Sequence, residues 1–335
     1  MPGCRRWRWK DTKMKAIVIT KYGPPDVLEL KEVDKPVPRD FEVLVKVHAA
    51  SLTFSNLFLV SGKPFPLRLI FGLLKPRLRI PGSDIAGRVE AVGGKVKRFR
   101  PGDEVFGDLS RCGRGGFAEY VSVPENELGL KPANVSFAEA AAVPEAALVA
   151  LQGLRDKGRI RKGQKVLIVG ASGGIGMFAV QIAKYFGAEV TGVCGATNLD
   201  LVRSLGADHV IDYTKVDFTK NGQCYDLILA VRGYHSIFAY KHALSPKGIY
   251  VMTGGSWAQI FQALLIGPWI SMAGSRKLGS LTVKPNQDLA LMKELIEAGK
   301  VKPVIDRRYP LAETAEAFRY FAEGHARGKV VITVE

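Results

Sequence analysis

KVLIVGASGGIGMFAVQIAKYFGAEV, residues 165–190, decides the fold of this chain. Its opening VLIV is a continuous apolar run of β-branched residues and leucine, the composition of a strand buried on both faces. Gly170, Gly173, Gly174 and Gly176 follow at once, with Ser172 and Ile175 among them, and MFAVQIAKYF then sets apolar residues at helical spacing. Strand, glycine turn and helix form the unit that aims a helix N-terminus at a pyrophosphate. Glycine serves there because the backbone must take a positive φ or approach a ligand closely. A second strand-like run, EVTGVC, begins just beyond the helix and completes the βαβ context that gives the motif meaning. The reading is a dinucleotide-binding turn. The bland alternative is an ordinary tight turn in an α/β protein.

Outward from this turn the chain has two textures. Residues 14–137 carry short strand-like runs (KAIVIT, VLVKVHAA, IAGRVEAVG, DEVFGD, FAEYVSV) punctuated by Gly and Pro, which predicts a β-rich domain. Over 138–281 strands alternate with helices (KVLIVG, EVTGVC, HVIDY, DLILAV, GIYVMTG, LGSLTV), which predicts a doubly wound parallel sheet of the α/β class. The tail, 282–335, reads as amphipathic helices and a final strand that return to the first domain, and residues 1–13 read as a disordered extension. No internal repeat is visible.

Composition narrows the class. A chain of 335 residues can bury a sizeable core and divide into two domains. Its four cysteines (Cys4, Cys112, Cys194, Cys224) stand far apart with no CxxC pair, which fits a reducing compartment and a cytoplasmic enzyme. The longest apolar stretch, IFQALLIGPWISMAG at 260–274, is too short and too interrupted to span a bilayer. No secretory signal is expected, because MPGCRRWRWKDTK lacks an apolar core. The net charge of +16 favours anionic ligands, yet no nucleic-acid-binding motif accompanies it. PFPLRLIFGLLKPRLR, residues 64–79, mixes apolar and basic residues as interfacial segments do, which leaves peripheral membrane contact open, with lining of the substrate pocket by the same residues the favoured reading.

The order of parts resembles the medium-chain dehydrogenase/reductase superfamily, and specifically its zinc-independent quinone oxidoreductase-like branch. The markers are GPPDVLEL, PGSDIAGRVEAVG, RPGDEVFG, GGFAEYV, GASGGIG, LGADHVIDY, GKVKPVID and HARGKVVI. The resemblance implies a GroES-like catalytic domain followed by a Rossmann domain. Zinc enzymes of that superfamily supply Cys, His and Cys or Asp to a catalytic metal. Here the matching positions hold Thr53, Ser83 in Gly82-Ser83-Asp84, and Glu145, and the stretch matching the structural zinc lobe holds one cysteine, Cys112. Hydroxyls are poor zinc ligands beside N and S donors, so no metal is expected.

An NAD enzyme places Asp or Glu at the end of the second strand to hold the ribose diol, and that acid repels a 2′-phosphate. This strand ends at Gly195, followed by Thr197 and Asn198, so NADPH is the expected cofactor, with NADH use left open. Relatives usually add a Lys or Arg near Thr197; here Arg203 or Tyr213 stands in reserve. The resemblance adds Ala230, Val231, Thr253, Gly254 and Lys329 to the cofactor set, and Thr53 and Asn56 as hydrogen bonders to substrate or nicotinamide. Without a strong Lewis acid, hydride transfer suits quinones or α,β-unsaturated carbonyls, whose charge spreads into a phenolate or an enolate. A small-molecule substrate is thus expected; a nucleotide-binding redox sensor with little catalysis is the alternative. Five positions depart from the branch: Thr53, Asn56, Glu145, Val149 and Arg232. The resemblance also implies a homodimer that pairs the last sheet strand near KLGSLTV (277–283), with Leu281 and Val283 at the interface. The competing expectation folds 257–274 back over that edge.

Overall fold

A computed structural model describes residues 12–334. The VLIV run forms strand Lys165–Val169, whose last four side chains are buried. It lies inside a six-stranded sheet ordered His209–Asp212, Glu189–Cys194, Lys165–Val169, Tyr225–Ala230, Leu244–Met252, Lys277–Ser280. Every pairing is parallel. Strand order therefore reverses between Lys165–Val169 and Tyr225–Ala230, and the glycine turn leaves the sheet at that switch point, where doubly wound sheets bind ligands. Helix Gly174–Tyr185 follows, buried continuously from Gly176 to Ala183 because its apolar residues run almost all round.

The second sheet has seven strands. Ile305–Pro310, Lys329–Thr333, Glu42–Ser51, Asp84–Val92, Glu104–Asp108 and Gly129–Leu130 lie in that order, and Tyr120–Pro124 also pairs with Glu42–Ser51. The alternating strand Glu42–Ser51 sends Val43, Val45 and Val47 into a core completed by Ile85, Phe117, Phe318 and Ile332. Lys329–Thr333 pairs antiparallel with Glu42–Ser51, so the tail joins this sheet.

Two units result. One holds the chain through Glu145 with 285–293 and 305–334; the other holds 146–284 with 294–304. The first boundary thus lies beyond the expected 137. The segment 282–335 is also not wholly part of the first unit, because 294–304 stays with the dinucleotide sheet. Gln181 explains this: its side-chain amide donates to the Lys302 carbonyl (3.0 Å) and accepts from the Lys302 N–H (2.8 Å).

The last sheet strand ends at Ser280 rather than 283. Its middle residue is covered: Ser271 Oγ accepts from the Leu278 N–H (2.8 Å) and donates to the Leu278 carbonyl (3.1 Å). Helix Gly267–Ala273 carries Ser271. At Leu278 the fold-back of 257–274 occupies the backbone groups that strand pairing between two copies requires.

Candidate active site

The glycine turn is shaped by two steric facts. Gly170 has φ +86°, a left-handed conformation that favours glycine. A Cβ on Gly176 would lie 2.0 Å from the Gly170 carbonyl oxygen, so only glycine lets the helix start against the strand. Gly173 caps helix Gly174–Tyr185 with no side-chain hydrogen bond, so the first helical N–H groups, from Gly174, Ile175 and Gly176, have no partner within the helix. Ser172 beside the turn accepts from Asn198 Nδ2 (3.3 Å).

The remaining expected cofactor residues of this unit gather at the same carboxyl ends of the strands. Gly195 is open: an added Cβ meets only the Tyr213 ring, 3.6 Å away. Asn198 Oδ1 is buried without a partner among the described residues, an acceptor suited to a sugar hydroxyl. Thr197 and Tyr213 are exposed. Val231 N–H donates to the Val169 carbonyl (3.0 Å), and Thr253 and Gly254 N–H donate to the Ala230 carbonyl (2.9 and 3.3 Å). Arg203 pairs with Asp200 (2.7 Å), a helix-surface ion pair. The residues present fit a dinucleotide: an open helix N-terminus, a cradle without Cβ atoms, an unpartnered acceptor, and no carboxylate at position 195.

Lys329 stands apart from that set, in the other unit, where it forms part of a buried polar cluster. Thr53 begins helix Phe54–Ser61 as its N-cap, and Asn56 Oδ1 accepts from the Thr53 N–H (3.2 Å). Asn56 Nδ2 donates to Ser83 Oγ (3.4 Å), so both ends of that fully buried amide are engaged internally and Asn56 positions its neighbours. Thr53 Oγ1 lies 2.8 Å from Ser55 Oγ and 3.5 Å from Ser83 Oγ. Ser55 Oγ in turn donates to Glu145 Oε2 (3.4 Å).

Asp84 anchors the cluster with no solvent exposure. Its carboxylate accepts from Ser51 Oγ (3.3 Å), from Lys329 Nζ (3.5 Å) and from the Glu145 N–H (3.2 Å to each oxygen). Burial pushes the Asp84 carboxyl well above the usual range, against the pull of Lys329. Burial also raises Glu145 and Asp108. Arg114 is 6 % exposed, donates to Ser55 Oγ (3.1 Å) and leaves Nε without a hydrogen-bond partner. Three carboxyls (Asp84, Asp108, Glu145) thus lie near two cations (Arg114, Lys329), and burial raises all three against the pull of those cations.

The positions Thr53, Ser83, Asp84 and Glu145, scattered in sequence, meet in one place. Sequence reading missed Ser55, Asp108 and Arg114; the one signal for Arg114 was its setting in Arg111–Gly116, where Gly113, Arg114 and Gly115 all have positive φ. Arg232 lies on the dinucleotide unit with its backbone N 3.2 Å from where a Gly170 Cβ would stand. Among the described residues no three of His, Cys, Asp and Glu are grouped as a metal site.

Comparison with known proteins gives the family. Residues 39–133 match the alcohol dehydrogenase GroES-like domain and residues 205–332 match the zinc-binding dehydrogenase family. A chloroplast envelope quinone oxidoreductase homolog from Arabidopsis thaliana is 34 % identical, over 95 % of this chain and 98 % of its own. An NADPH-dependent alkenal/one oxidoreductase of chloroplasts from the same plant is 34 % identical, over 96 % of this chain and 79 % of its own. The solved quinone oxidoreductase from Coxiella burnetii superposes with a TM-score of 0.86 at 29 % identity, covering 97 % of this chain and all of that one. The chain belongs to the medium-chain dehydrogenase/reductase superfamily, in its quinone oxidoreductase-like branch, a class of oxidoreductases that use a nicotinamide cofactor.

Proposed function

We propose that this chain reduces quinones or α,β-unsaturated carbonyl compounds with NADPH and without zinc. The observation that carries the reading is the meeting of Thr53, Ser83, Asp84 and Glu145. The positions at which superfamily zinc enzymes hold their metal form instead a cluster of hydroxyls and a carboxylate already engaged by Lys329, Ser51 and the Glu145 N–H. The Thr53 and Ser83 hydroxyls are weak donors for zinc beside the N and S ligands it prefers.

The bound nicotinamide supplies a hydride. Gly170, Ser172, Gly173, Gly174, Ile175 and Gly176 would hold the pyrophosphate, and Asn198 Oδ1 a ribose hydroxyl. Gly195 leaves room for a 2′-phosphate, and Thr197 and Tyr213 would border it. Ala230, Val231, Thr253 and Gly254 would line the path of the cofactor across the strand ends. Thr53 is the hydroxyl that would donate to the developing oxyanion, with Ser55 Oγ 2.8 Å from it and Glu145 beyond. Replenishing it requires the Ser55–Glu145 bond to turn round, so that Glu145, whose burial favours the protonated form, donates to Ser55 and Ser55 to Thr53. Lys329 pairs with Asp84 and would reach the cofactor from the first unit. A homodimer remains part of the reading. Ser271 covers Leu278, so its interface would use Leu281 and Val283 beside the strand, and light scattering tests it: a monomer mass removes that part.

Steady-state NADPH oxidation with a quinone and enone panel, beside elemental analysis, tests the whole. Turnover on an enone or quinone is expected to persist in EDTA with substoichiometric zinc. One zinc per chain, lost together with activity, overturns it, as does tight NADPH binding with no turnover on any member of the panel.

A further inference from the structure

Residues 63–79 of the first unit combine two features, an anchored backbone and outward-facing apolar side chains ringed by cations. The segment is fixed from below: Phe71 and Leu78 pack against the core, and Tyr22 Oη donates to the Gly72 carbonyl (2.6 Å). Arg68 Nε donates to the Gly62 carbonyl (3.0 Å), and the Ile19 N–H donates to the Arg79 carbonyl (2.8 Å). Although inward positions are available and filled, four large apolar side chains point outward. Leu74 is 88 % exposed, Leu69 69 %, Phe65 61 % and Leu73 51 %. Such a patch, held on anchored backbone, marks an interaction site.

Charge identifies what the patch meets. Lys63, Lys75, Arg77 and Arg79 are exposed around it and form no ion pair among the described residues. From Phe54 through Ser83 the sequence contains no Asp or Glu. We infer that residues 63–79 form a docking surface for an anionic lipid bilayer, with Phe65, Leu69, Leu73 and Leu74 entering the acyl boundary and the four cations on the lipid phosphates. Apolar tips within a cationic ring match the layered chemistry of a membrane interface. A nucleic-acid surface would leave the leucines in water. No helix among the described residues is long and apolar enough to cross a bilayer, so the segment lies on the surface rather than spanning it. The segment reaches the polar cluster through Phe71, beneath Arg114 (5.8 Å), and flotation tests the membrane contact independently of turnover.

Flotation of the full chain with vesicles tests the inference. Binding is expected to phosphatidylcholine vesicles containing phosphatidylglycerol, to weaken as salt screens the cations, and to be far weaker on phosphatidylcholine alone. Removing two cations, Lys75→Gln with Arg77→Gln, is expected to weaken binding roughly twenty-five-fold, at about fivefold for each charge near an anionic surface. Leu73→Ser with Leu74→Ser is expected to weaken it at least as much, since it removes the inserting side chains. Leu265→Ser, at an exposed apolar position of the other unit (65 % exposed), serves as the control and should bind as the parent does. All variants change exposed residues, and unchanged melting temperatures and NADPH oxidation verify that they fold. No flotation, equal flotation on neutral vesicles, or loss in the control but not in the leucine and cation variants overturns the proposal.

Discussion

The two candidate sites of this protein are built from opposite materials. At the glycine turn the working groups are backbone N–H donors, and side chains are kept away: Gly176 cannot carry a Cβ without meeting the Gly170 oxygen at 2.0 Å. In the polar cluster the working groups are side chains delivered from Thr53, Ser55, Ser83, Asp84, Arg114, Glu145 and Lys329, and the backbone mainly positions them. A backbone site is specified by one short stretch of chain. A side-chain cluster needs the whole β-rich unit to be folded before any of it exists. The two should therefore fail differently.

The sharpest way to break the cluster is Lys329→Met. The Lys329–Asp84 pair is buried on both sides, with side-chain exposures of 5 % and 0 %. Removing the cation strands a buried carboxylate, a loss of about 3–5 kcal/mol at neutral pH. The pH dependence carries the sign. Asp84 is already raised in the folded state by burial, and without Lys329 it rises further. Its stabilising contribution is full below the ordinary carboxyl pKa and is lost as pH rises through the raised one. Denaturant unfolding should therefore show Lys329→Met most unstable at high pH and recovering as pH falls. Adding Asp84→Asn should restore most of the loss at neutral pH; no recovery by either route would show that the pair is not the cause.

Gly176→Ala probes the other site. The methyl forces the helix away from the strand, a cost of about 1–3 kcal/mol of overpacking, and it tilts the N–H groups of the turn. Weaker NADPH binding with a modest fall in melting temperature is expected, whereas Lys329→Met should unfold more readily while any molecules still folded bind NADPH normally. Equal damage to binding in both variants would erase the distinction between the sites.

This contrast also explains what was legible beforehand. The VLIV strand, the glycine turn and the following helix lie within 165–190, so local periodicity and glycine spacing suffice to read them. The final strand was readable from the terminal apolar run, and its return to the first domain was expected, but its pairing with Glu42–Ser51 was not. The cluster was legible only through family resemblance, which supplied Thr53, Asn56, Ser83, Asp84, Glu145 and Lys329 but not Ser55, Asp108 or Arg114. Ser55 and Arg114 meet across a sequence separation of 59 residues, and no periodicity links them. Asn56, expected to face substrate or nicotinamide, has both ends of its amide engaged within the fold. The capping of Leu278 by Ser271 depends on where a helix lands, which composition does not encode.

Gly195→Asp sharpens the cofactor half of the comparison. The position is open, with only the Tyr213 ring in reach, so an acid fits without distorting the turn. Its charge near a 2′-phosphate costs about 1–2 kcal/mol in a solvent-exposed setting, which corresponds to roughly tenfold weaker NADPH binding. NADH should bind unchanged or more tightly. A fluorescence titration that finds the parent already preferring NADH would remove the basis for this preference.

The smallest expected change in stability is at Glu145, where the contribution to folding comes through the backbone. Asp84 accepts from the Glu145 N–H, a bond that Glu145→Gln retains, while the side chain makes a 3.4 Å contact with Ser55 and a hydrogen bond with Thr53 that an amide oxygen can also accept. At neutral pH the substitution should alter stability by less than about 1 kcal/mol, since it exchanges one weak hydrogen bond for another. The pH profile is the more telling readout. Burial raises Glu145, so in the parent its contribution is present below the ordinary carboxyl pKa and declines as pH rises through the raised value. Glutamine does not titrate, and the variant should lose that part of the decline while keeping the part due to Asp84. Turnover is the second readout: an amide cannot replenish Thr53 through Ser55, so enone reduction should slow while NADPH binding is unchanged. Full turnover with a flattened stability profile would leave Glu145 as a buried acid of the fold and move the proton source to water.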